Sequence, residues 1–429
     1  PLGVSSIYVS IFVIFAGVLE ASGAGDIFIR LTQALLGGFR GGPAKVAVVA
    51  SSLFGTISGS AVANVVGTGS FTIPLMKKSG FDSEFSGAVE TAASSGGQLM
   101  PPVMGAAAFI MADYIGSYQE VLTAAVIPAI LFYIALFIMI DLEALKKDLK
   151  GQSKDELPNF MEELKKGWLL LMPLVLLVFL LVGVRYSAQK SAFFSIIFLV
   201  VIMLVYPGKK RSVSEILHLI ASSSKGMVSV ALTTGTAGII VGMLMLTGIG
   251  YKLSSLLISL SQGNVMLLLI LTMVTSVILG MGMPTSAAYV LLATLIVPAL
   301  ENLGIAKIAA HFFVFYFGIM ANVTPPVAVA AYTAAGIAKG DAMKTGFVAW
   351  RLSLAGFLMP FMFCMNPALL GKGTNGEIIL AIMSALIGAY GLATAVQRYF
   401  KGNLSWPKTI VVLLGSVSTM MPGIKSDIF

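Results

Sequence analysis

Two stretches interrupt strongly apolar sequence with glycine, proline and hydroxyl residues, and their chemistry suits a bound cation. Residues 280–285 read GMGMPT, and residues 321–327 read ANVTPPV. Glycine and proline both break helices, by permissive φ and by a missing N–H respectively. Lipid offers no hydrogen bonds, so the carbonyls freed at such breaks must be buried in protein or face a polar cavity. Unwound carbonyls with one or two hydroxyls are ligands that Na⁺ accepts at bilayer depth.

The same arrangement occurs 224 positions earlier in the chain. That offset places the PPV sequence at 101–103 on the PPV sequence at 325–327, and it places Pro74 on Pro298 and Gly80 on Gly304. It also places the SGS break at 58–60 opposite the GMP break at 282–284. The sequence therefore contains two copies of one unit, a first unit at 44–115 and a second unit at 264–338. A doubled hydrophobic segment interrupted by glycine and proline is typical of a transporter binding site.

The composition is that of a polytopic membrane protein. The 429 residues are 57% hydrophobic and 11% charged, whereas a soluble globular chain carries about 25% charged residues. One cysteine, Cys364, excludes an internal disulfide. The net charge of +8 comes from short basic clusters between apolar runs, which is the positive-inside pattern and argues against nucleic-acid binding. The chain starts at Pro1 without a basic n-region, which argues against a signal peptide and suggests a piece of a longer chain.

The apolar runs predict an all-α protein with hairpins and broken helices. Each unit contains a re-entrant hairpin, at 44–76 or 264–300, followed by a broken span, at 84–115 or 308–338. Residues 26–40 predict an interfacial amphipathic helix, and the mixed charges of 141–167 predict a solvated helix on the membrane surface. The remaining apolar runs predict membrane spans at 4–22, 119–140, 168–184, 190–206, 226–248, 345–366, 377–397 and 408–422.

These elements divide the chain into five parts, and their charges predict a topology. The parts are 1–43, repeat 1 at 44–140, connecting segments at 141–263, repeat 2 at 264–366, and C-terminal spans at 367–429. Segments placed in the cytoplasm hold 20 of the 27 Lys and Arg residues, and those placed outside hold five. The positive-inside rule then predicts that the two repeats are inverted relative to each other. External segments are short, the longest being 249–262.

The motif residues resemble those of a known family. The sequences SGSAVAN at 58–64 and IPLMKKSGF at 73–81 resemble the first signature of TRAP transporters, and GMGMPT and TPPV resemble the second. The GMGMPT form, together with TPPV followed by AAGIA at 334–338, is similar to the TAXI branch. The resemblance covers about residues 1–370. It implies an ion-transporter-like elevator architecture, in the inner membrane of a bacterium or archaeon.

The resemblance also implies partners and a Na⁺ site in each repeat. The partners are a periplasmic TAXI-type substrate-binding protein and a small membrane subunit with four spans, separate or fused N-terminally. The first ion site is Ser58, Ser60, Gly96, Leu99 and Pro101, and the second is Gly282, Met283, Thr285, Ala321, Thr324 and Val327. Dicarboxylate-type relatives often carry a second hydroxyl where this chain has Ala61, which weakens the first site. Alternatively, the small residues only allow close helix packing.

Uncharged polar residues beside the breaks are candidates for substrate binding. They are Asn64, Gln98 and Asn322. Half-helix N-termini favour an anion, and the resemblance implies that it is a small organic anion such as a carboxylate. Each of these side chains could instead tie down freed backbone groups.

Four ionisable residues lie in or near the predicted spans, and each is either functional or structural. Glu90 lies early in its span and either borders the interface or takes part in coupling, and Arg351 either reaches the cytoplasmic face or binds substrate. His311 and His218 have no acidic or cysteine partner at metal or triad spacing, so both are expected to be structural. Carbonyl sites suit Na⁺, whereas Glu90 leaves proton coupling open.

The leading interpretation is a subunit of a secondary active transporter that needs no resident cofactor. A channel would line its pore continuously with polar groups, whereas here the polar breaks are paired and confined to mid-membrane. A carrier that works without a binding protein is a further alternative. The chain lacks the acid–base pair on one helix face that an intramembrane enzyme would need. It also lacks the GxxxxGK[ST] loop that would indicate ATP-driven transport.

Overall fold

A computed structural model describes residues 3, 6, 9–205 and 211–420 of the chain. Across these residues the regular structure is helical, and the β contact is an isolated bridge between Tyr399 and Asn403. The predicted all-α class is therefore confirmed. Some residues of the predicted segments lie outside the described residues, namely 4, 5, 7 and 8 of the first span, 206 of the span at 190–206, 209 and 210 of a basic cluster, and 421–422 of the last span.

Nine helices of ten residues or more lie within the described residues 9–205. They are α1 Ser10–Ala21, α2 Ala24–Leu36, α3 Gly42–Ser58, α4 Ala61–Lys78, α5 Ser83–Gly97, α6 Ala106–Ile115, α7 Tyr118–Lys146, α8 Phe160–Val178 and α9 Ala188–Val205. A π-helical turn, Phe179–Gly183, extends α8.

Twelve more helices lie within residues 211–420. They are α10 Val213–Ser224, α11 Gly226–Thr247, α12 Ile249–Ser261, α13 Val265–Gly280, α14 Thr285–Leu295, α15 Val297–Asn302, α16 Lys307–Met320, α17 Val329–Ala338, α18 Ala342–Leu352, α19 Leu354–Met365, α20 Asn375–Gln397 and α21 Trp406–Met420. Short 3₁₀ turns lie at 154–156, 321–323 and 367–370.

Length and apolarity allow several of these elements to cross a membrane. Seven helical stretches of the described residues are long and apolar enough, and the count is eight if α1 and α2, which meet at a 62° bend, form one span. One such stretch joins α10 and α11 into a single run at 213–247, and another joins α18 and α19 at 342–365. The polytopic membrane class follows from these lengths.

Both predicted hairpins and both broken spans are present. The first hairpin consists of α3 and α4, which are separated at Gly59 and Ser60, and the second consists of α13 with α14 and α15, with its tip at 281–284. The first broken span consists of α5 and α6, and the second consists of α16 and α17. The breaks lie where glycine and proline disfavour a continuous helix.

The same offset that relates the sequences also relates the helix starts. Helices α4 and α14 start at Ala61 and Thr285, 224 positions apart. The starts of α5 and α16, and those of α7 and α18, differ by the same number. Both Pro-Pro bonds, at 101–102 and 325–326, are cis. The order of elements is thus repeated, and the inversion of one copy relative to the other stays a prediction.

One sequence prediction about the connecting segments was wrong. The charged segment 141–167 does not form a separate surface helix, because α7 continues to Lys146 and α8 already begins at Phe160. Between Lys146 and Phe160 the regular structure is the 3₁₀ turn at 154–156, because Gly151 and Pro158 disfavour a continuous helix there. The segment 249–262 is almost entirely helix α12, and its external location stays a prediction.

Candidate functional site

The tip of the first hairpin lies directly against the break in the first broken span. Gly59 has a φ of +61°, and a Cβ atom there would lie 2.8 Å from the carbonyl oxygen of Met104. From the other side, a Cβ on Gly105 would lie 3.3 Å from the carbonyl oxygen of Gly59. The two irregular segments of the first unit therefore meet, as the predicted first ion site requires.

Buried oxygens without partners lie on both of these segments. The Oγ atoms of Ser58 and Ser95 and the Oε1 atom of Gln98 are buried, and no hydrogen bond reaches them from the described residues. Gln98 is 3% exposed. Buried polar atoms nearly always have a partner, and leaving one unmade costs about 1–3 kcal/mol. Three such oxygens beside one helix break fit a site that takes a cation or a hydrogen-bond donor.

The other predicted ligands of the first site have structural contacts of their own. The Oγ atom of Ser60 accepts a hydrogen bond at 3.3 Å from the backbone N–H of Ala63 and so caps α4. A Cβ on Gly96 would lie 2.3 Å from the ring of Phe132, so this glycine allows close packing between α5 and α7. Leu99 is buried and donates its N–H to the Gly96 carbonyl, and Pro101 is half-buried.

Asn64 braces the two arms of the first hairpin. Its side-chain amide donates a hydrogen bond at 2.9 Å to the carbonyl oxygen of Ser51, and its Oδ1 accepts one at 3.1 Å from Thr68. Asn64 has 0% exposure. Asn64, one of the three residues predicted to contact substrate, therefore forms a hydrogen bond to a backbone carbonyl of the hairpin. The Oε1 atom of Gln98, another of the three, has no hydrogen-bond partner in the described residues.

The second unit repeats the contact between tip and break with different side chains. Gly282 has a φ of +74°, and a Cβ there would lie 3.3 Å from a methyl group of Val327. The amide of Asn322 donates a hydrogen bond at 3.2 Å to the hydroxyl of Thr285, which joins the break to the second arm of the hairpin. Thr324 donates its hydroxyl to the Met320 carbonyl at 2.7 Å.

All six predicted residues of the second site lie on these two segments. Ala321 packs beneath the hairpin, since a Cβ on Gly280 would lie 3.0 Å from its methyl group. Met283 is half-buried at the tip. Met283 and Pro284 also line a cavity of about 330 Å³ against α11, whose other walls are mostly apolar. The predicted second site is therefore brought together at the tip and at the break.

Glu90 is the functional candidate that sequence reasoning undervalued. Its side chain is fully enclosed by protein, with an exposure of 0%, and whether it lies near the membrane interface or takes part in coupling stays a prediction. Its Oε1 accepts hydrogen bonds from Ser51 at 2.7 Å, Thr68 at 2.5 Å and Ser94 at 3.0 Å, and its Oε2 accepts one from Thr72 at 2.5 Å. The signal for this arrangement was the i, i+4 spacing of Thr68 and Thr72, which puts both hydroxyls on one face of α4.

The remaining ionisable candidates are dispersed. His311 is buried, and its Nδ1 lies 2.7 Å from the Tyr289 hydroxyl, so its partner is a tyrosine. Arg351 has a buried Nε without a hydrogen-bond partner among the described residues, and His218 is exposed. Within the described ranges, no three His, Cys, Asp or Glu side chains could share a metal ion.

Paired hairpin tips and helix breaks are the geometry expected of a transporter, and comparison with known proteins identifies which kind. The profile of the DctM component of the tripartite ATP-independent periplasmic transporters matches residues 3–378. The chain belongs to this family. The resemblance carried by SGSAVAN, GMGMPT and TPPV is thereby confirmed at the level of the family, while its TAXI branch stays a prediction.

Individual relatives in the DctM family are distant but cover most of the chain. The C4-dicarboxylate TRAP transporter large permease protein DctM of Pseudomonas aeruginosa is 26% identical over 74% of this chain and 73% of its own length. The 2,3-diketo-L-gulonate TRAP transporter large permease protein YiaN of Escherichia coli is 23% identical over 84% of each chain. The isethionate TRAP transporter permease protein DctMQ of Oleidesulfovibrio alaskensis is 25% identical over 76% of this chain, which spans about half of that protein.

Membership defines the class of this protein. DctM proteins are membrane components of a transporter, so the chain is a multi-pass transmembrane permease and the family is not one of enzymes. The family's description as tripartite means that such a permease works with further components.

Proposed function

We propose that this chain is the large membrane subunit of a secondary active transporter that imports a small organic acid coupled to Na⁺. The observation that carries the proposal is the contact of each hairpin tip with its helix break. At both contacts a glycine with positive φ, Gly59 or Gly282, lets one irregular segment approach the other. Irregular backbone at bilayer depth is tolerated where it is buried or lines a site.

Two Na⁺ sites are proposed at these contacts. The free oxygens of Ser58 and Gln98 support the first, and the hydroxyls of Thr285 and Thr324 support the second. Each threonine hydroxyl keeps a lone pair after its hydrogen bond, because a hydroxyl has one donor and two acceptor positions. We assign the sites to all the residues predicted from the sequence, with Ser60 and Gly96 contributing to the position of the tip and the break.

The substrate is proposed to be a carboxylate. The names of relatives support this class, since they specify a C4-dicarboxylate and 2,3-diketo-L-gulonate. Helix N-termini beside the breaks favour an anion. Gln98 and Asn322 lie beside these N-termini and are proposed to orient the substrate.

The partners are proposed to be a periplasmic binding protein of the TAXI type and a small membrane subunit with four spans, either separate or fused. The three-component description of the family supports both partners, and the GMGMPT and TPPV motifs support the TAXI type. We place the assembly in the inner membrane of a bacterium or archaeon, with two inverted repeats that move the site across the bilayer in an elevator motion.

Reconstitution in proteoliposomes tests the proposal. Uptake of radiolabelled C4-dicarboxylate and 2,3-diketo-L-gulonate would be measured with and without an inward Na⁺ gradient. The expected result is saturable uptake above the gradient-free level once the binding protein and small subunit are added. A steady current that does not saturate with substrate would instead indicate a channel and contradict the proposal.

A further inference from the structure

We propose that Glu90 is a proton-binding site of the first unit, which takes up and releases a proton inside a cage of four hydroxyl groups. The inference deepens the proposed transport function by adding a proton to the ions that the permease binds. The cage comprises Ser51 of α3, Thr68 and Thr72 of α4, and Ser94 of α5. Both arms of the hairpin therefore contact one carboxyl group on the broken span.

The carboxyl group has no basic partner in the part of the chain that the structure describes. No ion pair there involves Glu90. An isolated buried carboxylate is strongly disfavoured, and such groups usually change protonation instead of staying charged. Ionisable residues within a membrane protein often mark proton relays for this reason.

The cage can satisfy both protonation states. When Glu90 is ionised, all four hydroxyls donate to its two oxygens, and O–H···O⁻ bonds of 2.5–2.7 Å are typical of such pairs. When Oε2 carries a proton, that proton can be donated to the Thr72 hydroxyl, which then donates to the Thr68 carbonyl at 3.1 Å. The Thr68 hydroxyl also has a second acceptor, the Asn64 carbonyl at 2.9 Å. Rotation of two hydroxyls thus replaces one complete hydrogen-bond set with another.

The second unit shows that the fold does not need this polar cluster. At the offset of 224 positions, Glu90 corresponds to Val314, Thr68 to Leu292 and Thr72 to Ile296. All three apolar residues are 0% exposed. At these three positions the second unit packs its hairpin against its helix with apolar side chains, which is often the more stable choice. Ser51 corresponds to Thr275, whose hydroxyl donates to the Leu271 carbonyl, and Ser94 corresponds to Gly318, so the second unit has no carboxyl group at this place for hydroxyls to surround. Burying Glu90 and its hydroxyl partners in the first unit costs free energy that packing does not require, which indicates that the cluster has a function.

The ionisable side chains around the cage leave Glu90 as the group that can change charge. Tyr133 of α7 faces it and donates its hydroxyl to the Ala93 carbonyl at 2.7 Å. On α3, Lys45 is paired with Asp141 at 2.5 Å. On α4, Lys77 donates to the Ala338 carbonyl at 2.6 Å.

The ionisable groups on the second-unit helices that pack against α5 form no ion pair or hydrogen bond with Glu90 in the described residues. On α16, His311 lies against Tyr289. On α17, Tyr332 donates to the Pro326 carbonyl. On α18, neither Lys344 nor Arg351 forms an ion pair or hydrogen bond with Glu90 within the described residues.

Exchange of this proton with water requires the hairpin to move. Glu90 is fully buried, and a Cβ on Gly69 of α4 would lie 2.9 Å from its Cγ. Separation of α4 from α5 would open the cage on the Thr68 and Thr72 side. Proton release is thereby linked to the position of the hairpin, which is the element that also meets the first helix break.

Infrared difference spectroscopy of the purified full chain in liposomes tests the proposal without any substrate, binding protein or small subunit. A pH titration is expected to show a carboxylic-acid C=O band that disappears as the pH rises. The variant Glu90→Gln should lack this band, while the control Glu84→Gln, at the start of the same helix, should retain it. In case Glu90→Gln does not fold, Thr72→Val should keep a titrating band at a shifted frequency, because one hydrogen-bond partner of the acid is lost.

The outcomes separate this proposal from the proposed transport function, because the spectra require no transport. A band that depends on Glu90 and titrates supports the proposal even if uptake has not been measured. An acid band that is unchanged across the titration would mean a permanently protonated structural group and would overturn it. So would a Glu90 band that responds to Na⁺ at fixed pH and not to pH.

Discussion

Gly55 and Gly97 lie back to back where the first hairpin crosses the broken span. A Cβ on Gly55 would lie 2.4 Å from the Cα atom of Gly97, and the reverse distance is 2.7 Å. Asn64, which braces the hairpin, lies within 3.0 Å of both Cβ positions. Both contacts are with backbone, which cannot move aside as a flexible side chain can. This contact sets how closely the hairpin tip approaches the first break.

Gly97→Ala is expected to destabilise the protein by about 1–3 kcal/mol, the usual cost of overpacking. The measurement is thermal unfolding in detergent, followed by intrinsic fluorescence. Gly238→Ala is the matched control, because Gly238 lies inside α11 with nothing within 4 Å of its Cβ position. The control should be neutral or slightly stabilising, since alanine favours the helix. Equal unfolding temperatures for both variants would contradict the close contact.

Ser58→Ala and Thr324→Ala are each expected to weaken the Na⁺ dependence of uptake without changing expression. Loss of one oxygen ligand worth about 1 kcal/mol would raise the half-maximal Na⁺ concentration about fivefold. The measurement is uptake in proteoliposomes across a Na⁺ titration. Ser70→Ala is the control, since Ser70 is exposed on α4 and donates to the Gly67 carbonyl. Unchanged Na⁺ dependence in both variants would remove these residues from the ion sites.

Lys78 and Lys307 are expected to lie on opposite sides of the membrane, the first in the cytoplasm and the second outside. Single cysteines at these positions in a Cys364→Ser background would be labelled with a membrane-impermeant thiol reagent. Both sites are accessible, because the Lys78 side chain is 76% exposed and Lys307 is exposed at the start of α16. Labelling of both from one side would refute the inversion of the repeats.

Asp141→Asn is expected to cost roughly 2 kcal/mol by leaving Lys45 buried without its counter-ion. The Lys45 side chain is 7% exposed and that of Asp141 is 28% exposed, so the cost is below that of a fully buried pair. Thermal unfolding measures it, and the double variant Lys45→Met with Asp141→Asn should recover part of the loss. Glu156→Gln is the control, since its pair with Lys78 is largely exposed. An equal effect of Asp141→Asn and this control would show that the pair is not important.

Uptake is expected to stay low until substrate arrives on a binding protein. No connection between helices within 9–205 or within 211–420 approaches the roughly 50 residues that a capture domain needs. The loaded and open forms of the binding protein should bind the permease differently, since only differential affinity shifts it between states. The comparison is gradient-driven uptake of free substrate against substrate with binding protein. Robust uptake of free substrate would favour a self-sufficient carrier.

Local chemistry made the helix breaks predictable from the sequence. Gly59 and Gly282 adopt positive φ, and the Pro-Pro pairs lie inside the two non-helical segments, where the sequence predicted them. The segment 141–167 was mispredicted because charge alone does not distinguish a surface helix from the ends of two spans. Apolar composition likewise did not reveal helix α12.

The sequence by itself determined the membrane class, the doubled hairpin and broken-span order, and the family. These properties depend on residues close together in the chain, namely on hydropathy, on backbone freedom at glycine and on the missing N–H of proline. Only the tertiary structure decided which polar side chains form hydrogen bonds between helices and which have no partner in the described residues. Asn64 reaches the Ser51 carbonyl, and Glu90 collects hydroxyls from three helices, with Ser51 lying 39 positions away. Such partners are set by how helices pack in three dimensions, and spacing along one helix does not encode them.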